Sequence, residues 1–148
     1  MTSAALKISA WKEEIAKIEV IPFSHAEHKS VIVDWLIGHQ MGLKESEELP
    51  STGFIAKKDG EFIAAGFLRF LEASKTAMVD GLISNPKVSG KIRHVSIDLI
   101  CSLLIDTAKK LKLNGLVAFS GNSAVLKRAA KYDFYMLNDR MIVLSLGD

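Results

Sequence analysis

The feature that most constrains this chain is what flanks Asn85-Pro86. Before it lies a strand-like run, Thr76 to Ser84, and after it a long segment with Ile97, Ile100, Leu104, Ala108 and Leu111 on one helical face. Asn114-Gly115 then reads as the helix stop, and Leu116 to Phe119 as a short buried strand. Strand, helix and strand in that order predict a right-handed parallel crossover, because a right-twisted strand and a right-handed helix return to the sheet only that way. A chain with such a unit at its centre is expected to be α/β, with helices covering the sheet.

The rest of the sequence extends that sheet. Ala4, Ile8, Trp11, Ile15 and Ile18 recur at three- and four-residue steps and predict an extra amino-terminal helix within residues 1–16, ending near Glu14. A strand is expected from Lys17 to Phe23. Ser24-His25-Ala26-Glu27 has the form of a capping box and opens a helix carrying Val31, Ile32, Trp35 and Leu36, closing near Gly42. Lys44 to Pro50 reads as a loop. Phe54-Ile55-Ala56 is a short strand, and Asp59-Gly60 is a hairpin turn because glycine accepts positive φ. Another strand follows from Glu61 to about Leu71. Beyond Phe119, Ser120-Gly121-Asn122 turns into a helix reaching Tyr132, and Phe134 to Leu137 pairs with Met141 to Leu146 around Asn138-Asp139. The expected order is β-α-β-β-β-α-β-α-β-β.

Composition narrows the function classes. The 148 residues suit one domain spanning the whole chain, and 49% hydrophobic content gives it a core without staples. Cys101 is the one cysteine, so an internal disulfide framework and a cysteine-based zinc cage are excluded. Nineteen Lys and Arg against seventeen Asp and Glu leave +2, too balanced to require nucleic acid. No apolar run approaches the ~20 residues of a membrane span. Lys7, Lys12, Glu13 and Glu14 interrupt the amino end, which does not read as a secretory signal. A cytoplasmic protein is expected. His25 and His28 share a helix face, but no second ligand pair accompanies them, so no metal site is expected. Cys101, Trp11 and Trp35 read as packing residues.

Four local matches, in order, carry a resemblance to the GNAT family of acyl-CoA-dependent N-acyltransferases over roughly Lys17 to Leu146. Asp59-Gly60-Glu61-Phe62-Ile63-Ala64-Ala65-Gly66-Phe67 resembles that family's turn and third strand. Asp80-Gly81-Leu82-Ile83-Ser84-Asn85-Pro86 resembles its fourth. The helix after Pro86 and the strand Leu116 to Phe119 sit at family spacing, and Asn122 precedes Phe134 by twelve residues, as in the family's Asn-to-Gly-Phe stretch. The implied fold is a mixed, mostly antiparallel sheet of six to seven strands with helices on both faces.

The resemblance implies acetyl-CoA (coenzyme A) as cofactor and an amine as acceptor, on a small molecule or a protein. It gives Asp80 the role of base, and it gives the amides of Leu82, Ile83 and Ser84 the acyl arm. Lys87, Ser89, Gly90, Lys91, Ile92, Arg93, His94 and Val95 would hold the pyrophosphate at the helix amino end, and Asn122 the pantetheine side. The family writes its phosphate loop as Arg/Gln-x-x-Gly-x-Gly/Ala, where this chain has Ser89, Ile92 and His94, with Gly90 the one small residue left. The family's acidic Tyr falls at Ala129, and Tyr132, one turn later, is the substitute donor. Basic residues Lys87, Lys91, Arg93, Lys127, Arg128 and Lys131 are expected at the cleft mouth, and Glu45, Glu47 and Glu48 on the acceptor side. Family members often pair through sheet edges, so a homodimer is an expectation of the same kind. The competing reading is a catalytically inactive GNAT-fold binding module, which the Ser89-Gly90-Lys91 loop's similarity to degenerate tailed-phage copies suggests.

Overall fold

Strand alternation sets the two faces of the sheet. In the computed structural model, which describes residues 3–41, 49–119, 123–136 and 141–146, helix α1 (Ser3–Ala16) leads into β1 (Glu19–Pro22) and α2 (His25–Gly38). Strands β2 (Thr52–Lys58), β3 (Glu61–Phe70) and β4 (Thr76–Ser84) follow, then α3 (Gly90–Lys110) and β5 (Gly115–Phe119). Helix α4 (Ser123–Lys131), β6 (Tyr135–Met136) and β7 (Met141–Ser145) complete the order. The seven strands lie as β1-β2-β3-β4-β5-β7-β6, antiparallel throughout except for the parallel β4–β5 pair. The expected element order and mixed, mostly antiparallel sheet are both present. Glu45, Glu47, Glu48, Asn122 and the Asn138-Asp139 turn lie outside the described residues.

One face packs Ala56, Ala64, Leu68 and Ala77 of the sheet against Ile92, Ile100, Leu104 and Ala108 of α3, with Trp11 of α1 at its margin. The other packs Ile55, Ala65 and Phe67 against Ile32, Trp35 and Leu36 of α2. The chain alternates between the two because successive strand side chains point to opposite faces. Asp59 and Gly60, both at positive φ, close the β2–β3 hairpin as expected. Ser24 caps α2 by accepting from the Glu27 amide. The reciprocal half of the box differs: the Ser24 amide donates to Nδ1 of buried His28, 2.9 Å away.

Three helices end in one way. Gln40, Lys112 and Asp133 take positive φ just past α2, α3 and α4. In each case the next amide reaches back to a carbonyl five residues earlier: Met41 to Leu36, Leu113 to Ala108, Phe134 to Ala129. This is the Schellman arrangement, normally built on glycine. It corrects two boundaries. Helix α3 stops at Lys110, leaving Leu111 exposed, Asn114 in the connection and Gly115 as the first residue of β5, and α2 stops at Gly38 instead of near Gly42.

Candidate functional site

The parallel strands β4 and β5 pair only at Thr76–Gly115, Ala77–Leu116 and Met78–Val117. Strand β4 nevertheless continues six residues further, to Ser84, held on its other edge by β3. What turns it away is a bulge. Phe67 pairs with Asp80 and Ala65 with Ile83, so Gly81 and Leu82 together oppose Gly66. A bulge of this kind bends its strand and strengthens the local twist. Gly81 takes φ +63°, and a Cβ there would meet the Phe67 ring at 2.8 Å. A side chain is therefore excluded twice, by backbone conformation and by space.

The parted strands leave a cavity of about 150 Å³. Val79 and Leu82 of β4 face Ala118 of β5 across it, and Ile97, Cys101, Leu104 and Ile105 of α3 line its floor. Val125, Arg128 and Ala129 of α4, with Tyr132 just past its end, form its far wall. Half-buried Cys101 lines this space instead of the packed core, and burial pushes its thiol pKa up to about 11. Ala129 is buried against the cavity and offers no proton. Tyr132 lines the cavity as well, and its hydroxyl donates to the Asp98 carbonyl at 3.1 Å. Burial pushes this phenol pKa up.

Asp80 belongs to the opposite, α2 face. Its Oδ2 accepts from Arg69 Nε at 2.8 Å, and its Oδ1 accepts from the Gly81 amide at 2.8 Å. The carboxylate is thus held in one orientation beside the bulge. Ile83 points to the same face as part of the α2-side core, while Leu82 is partly exposed at the cavity. The bulge separates these neighbours.

The first turn of α3 stands where β4 ends. Asn85 terminates the strand: its side chain donates to the Phe62 carbonyl and accepts from the Lys87 amide. Ser89 caps the helix by accepting from the Ile92 amide. Ile92 is buried in the α3-side core, and His94 turns toward α4, where Arg128 donates to its Nδ1. Neither plugs the gap between the strands. Gly90 has open space where a Cβ would stand. Lys87, Ser89 and Lys91 are exposed and Val95 is half-buried. Arg93 reaches Ser84 Oγ at 3.5 Å, and its buried Nε has no hydrogen-bond partner. A guanidinium nitrogen left unpaired beside the free amides of a helix amino end is suited to an anion.

The basic residues do not all converge. Lys91 lies over the Trp11 ring, 5.8 Å from its centre. Arg128 and Lys131 are committed to largely buried Asp98, at 3.2 and 2.7 Å, and His94 Nε2 approaches the same carboxylate at 3.4 Å. Asp98 thereby ties α3 to α4. It holds the Lys131 ammonium above its usual pKa through their hydrogen bond. Sequence reasoning missed Asp98, Arg69 and the bulge. A glycine interior to a strand run was the available signal for the bulge; the ion pairs join positions that only the fold brings together.

Among the described residues there is no group of His, Cys, Asp and Glu able to hold a metal, and no helix long and apolar enough to cross a membrane. No protein-family model matches the chain, and no curated protein matches it. Solved structures do. A GNAT-family acetyltransferase from Staphylococcus aureus Mu50 superposes with a TM-score of 0.71 at 10% identity, covering 88% of this chain and 99% of that one. N-acetylglutamate synthase from Neisseria gonorrhoeae, complexed with coenzyme A and L-arginine, gives 0.69 at 15% identity, over 88% of this chain and 34% of its own. The IAA acetyltransferase from Bacillus cereus ATCC 14579 gives 0.62 at 15% identity, over 87% and 99%.

Proposed function

We propose that this chain, which has the GNAT fold, is an acyl-CoA-dependent N-acyltransferase that takes acetyl-CoA as its simplest donor and a primary amine as acceptor. One observation carries the reading: β4 and β5 part beside a helix amino end that holds a buried, unpartnered guanidinium nitrogen. The gap suits a thioester arm, and the Ser89-capped turn with Arg93 suits a pyrophosphate. Coenzyme A in the gonococcal synthase of the same fold supports that assignment. The thioester supplies the acyl group: the amine nitrogen bonds to the carbonyl carbon as the C–S bond breaks, and of the two protons the ammonium loses in becoming an amide, one is matched by the proton the thiolate takes up and the other leaves to solvent.

The chain's own residues have three tasks in this reading. The amides of Leu82, Ile83 and Ser84, beyond the bulge, would orient the acyl arm. Arg93 and the first turn of α3 would hold the diphosphate. Asp80 would receive the ammonium proton, directly or through water; two of its roughly four lone-pair directions remain beyond those taken by Arg69 and the Gly81 amide. Tyr132 would protonate the departing sulfur by releasing the Asp98 carbonyl.

Titration calorimetry with coenzyme A and acetyl-CoA tests the binding half. Micromolar affinity is expected, falling roughly 10- to 100-fold in Arg93→Ala and partly restored in Arg93→Lys. No binding at millimolar ligand would refute the reading. A second reading, a binding module without turnover, is favoured by the engagement of both Asp80 oxygens. Asp80→Asn separates the two: a variant that binds coenzyme A but loses turnover and its pH dependence supports catalysis, and unchanged turnover across pH removes Asp80 from it.

A further inference from the structure

At the end of the sheet opposite the candidate site, two core stripes run past their partners. Alternation along β3 puts Leu68 and Phe70 on the α3 side, and Leu104, Ala108 and Leu111 continue one face of α3 toward the same end. Leu68 and Ala108 are buried there, whereas Phe70 and Leu111, the next members, are 45% and 53% exposed. Leu71, also exposed, opens the β3–β4 turn. The turns 71–75 and 111–114 lie side by side: the Asn114 amide donates to the Lys75 carbonyl at 2.7 Å, and Gly115 pairs with Thr76. Exposed Lys75, Lys109, Lys110 and Lys112 stand in or next to these turns. Among the described residues none of the four is in an ion pair, and Glu72 is the one acid within the two turns.

From this rim we infer that the chain docks on membranes rich in anionic lipid, as a peripheral contact and not a span. Side chains projecting from turns suit a fluid surface, which needs no shaped complement. Phe70, Leu71 and Leu111 enter the acyl boundary while the lysines stay among the headgroups. A second copy fits poorly, because a two-fold contact here would set the lysines against themselves. A nucleic acid would use the lysines but give Leu71 and Leu111 nothing to enter. Nine residues of β4, Thr76 to Ser84, separate the rim from the candidate site by roughly 26 Å, so a docked chain keeps that site turned toward water. The inference stands apart from the acyl-CoA reading, and either can fail without the other.

The test is co-sedimentation of the full chain with vesicles of phosphatidylcholine alone or mixed with an equal part of phosphatidylglycerol. Each lysine close to an anionic surface strengthens binding about fivefold, so four lysines less Glu72 give roughly 100-fold over neutral vesicles at low salt. High salt should erase most of that gain. Lys110→Gln with Lys112→Gln is expected to cost about 25-fold, and Phe70→Ser with Leu111→Ser roughly 10- to 30-fold. Circular dichroism checks that each variant is folded. Equal binding to neutral vesicles, none at millimolar anionic lipid, or folded variants that bind like the unaltered chain each overturn the inference. So does tighter binding to single-stranded RNA than to the anionic vesicles. The vesicle comparison on the unaltered chain decides the matter even if a variant does not fold.

Discussion

Gly81 is where fold and site meet, and two other glycines isolate the reasons for it. Gly60 has φ +80° with nothing within 4 Å of a built Cβ, so Gly60→Ala tests backbone conformation alone. Left-handed backbone costs a non-glycine residue about 1–2 kcal/mol, offset by about 0.4–1 kcal/mol of lost unfolded-state entropy. The expected net cost is about 1 kcal/mol. Gly53 tests space alone: its Cβ would stand 2.3 Å from Phe67 Cδ1 and 2.8 Å from the Gly66 carbonyl. Phe67 is fully buried and a carbonyl in the ladder does not yield, so Gly53→Ala should cost about 2–3 kcal/mol, the upper range of overpacking. Gly81 combines both, with φ +63° and Phe67 Cδ2 at 2.8 Å, and Gly81→Ala is expected to cost about 3 kcal/mol. Urea denaturation of the three variants at one temperature measures this, provided the m-values agree. Because Gly81 opens the gap, coenzyme A affinity should also fall in Gly81→Ala and hold in Gly60→Ala. A Gly81→Ala cost no larger than that of Gly60→Ala would refute the claim that Phe67 walls the bulge.

Two further outcomes follow from the structure. Lys112→Gly relieves the left-handed residue that ends α3 and should stabilise by about 0.5–1 kcal/mol, read as a rise in Tm of roughly 1–4 °C. Cys101, held neutral to about pH 11, makes stability fall as pH rises above about 9, because the unfolded thiol ionises first. The unfolded state then binds fewer protons than the folded one, so the slope is negative; Cys101→Ala should make it shallower between about pH 9 and 11 in urea titrations at stepped pH, leaving the part that Tyr132 and Lys131 contribute.

The parts of this fold written in local sequence were legible, and those written between distant residues were not. Asp59-Gly60 and Ser24 announce their turn and cap because the requirement is met by the residue itself. The three helix ends were not legible in the same way. Gln40, Lys112 and Asp133 occupy positions where glycine is the usual sign, and only the tertiary fold holds them there. Asp80 was found as an acid six residues before Pro86, whereas its partner Arg69 becomes visible only once the β3–β4 register is known. Likewise Asp98 meets Arg128 thirty positions later, across two helices. The turn after Pro86 shows a different limit. Comparing Ile92 and His94 with glycine positions treats them as obstacles. The four-residue step Ile92, Ser96, Ile100 instead marks the buried face of α3, which takes Ile92 away from the helix mouth.

That displacement changes what an anion at the proposed site would depend on. A glycine-spaced loop binds phosphate through bare backbone, whose amides persist under almost any substitution. Here Ile92 is spent on the core and His94 on the contact with α4, so the first turn of α3 is left with its capped amides and one guanidinium. Nε of Arg93 is buried without a hydrogen-bond partner, a state that costs stability. The two ends of the site therefore respond to different perturbations. The gap is a property of backbone, fixed by the bulge at Gly81 and insensitive to ionic strength. The proposed anion end would rest on side-chain charge and should weaken as salt rises. Under the proposed assignment, a helix entry without glycine spacing would still hold a diphosphate provided a side-chain cation stands where backbone alone does not suffice, and Arg93 is the candidate.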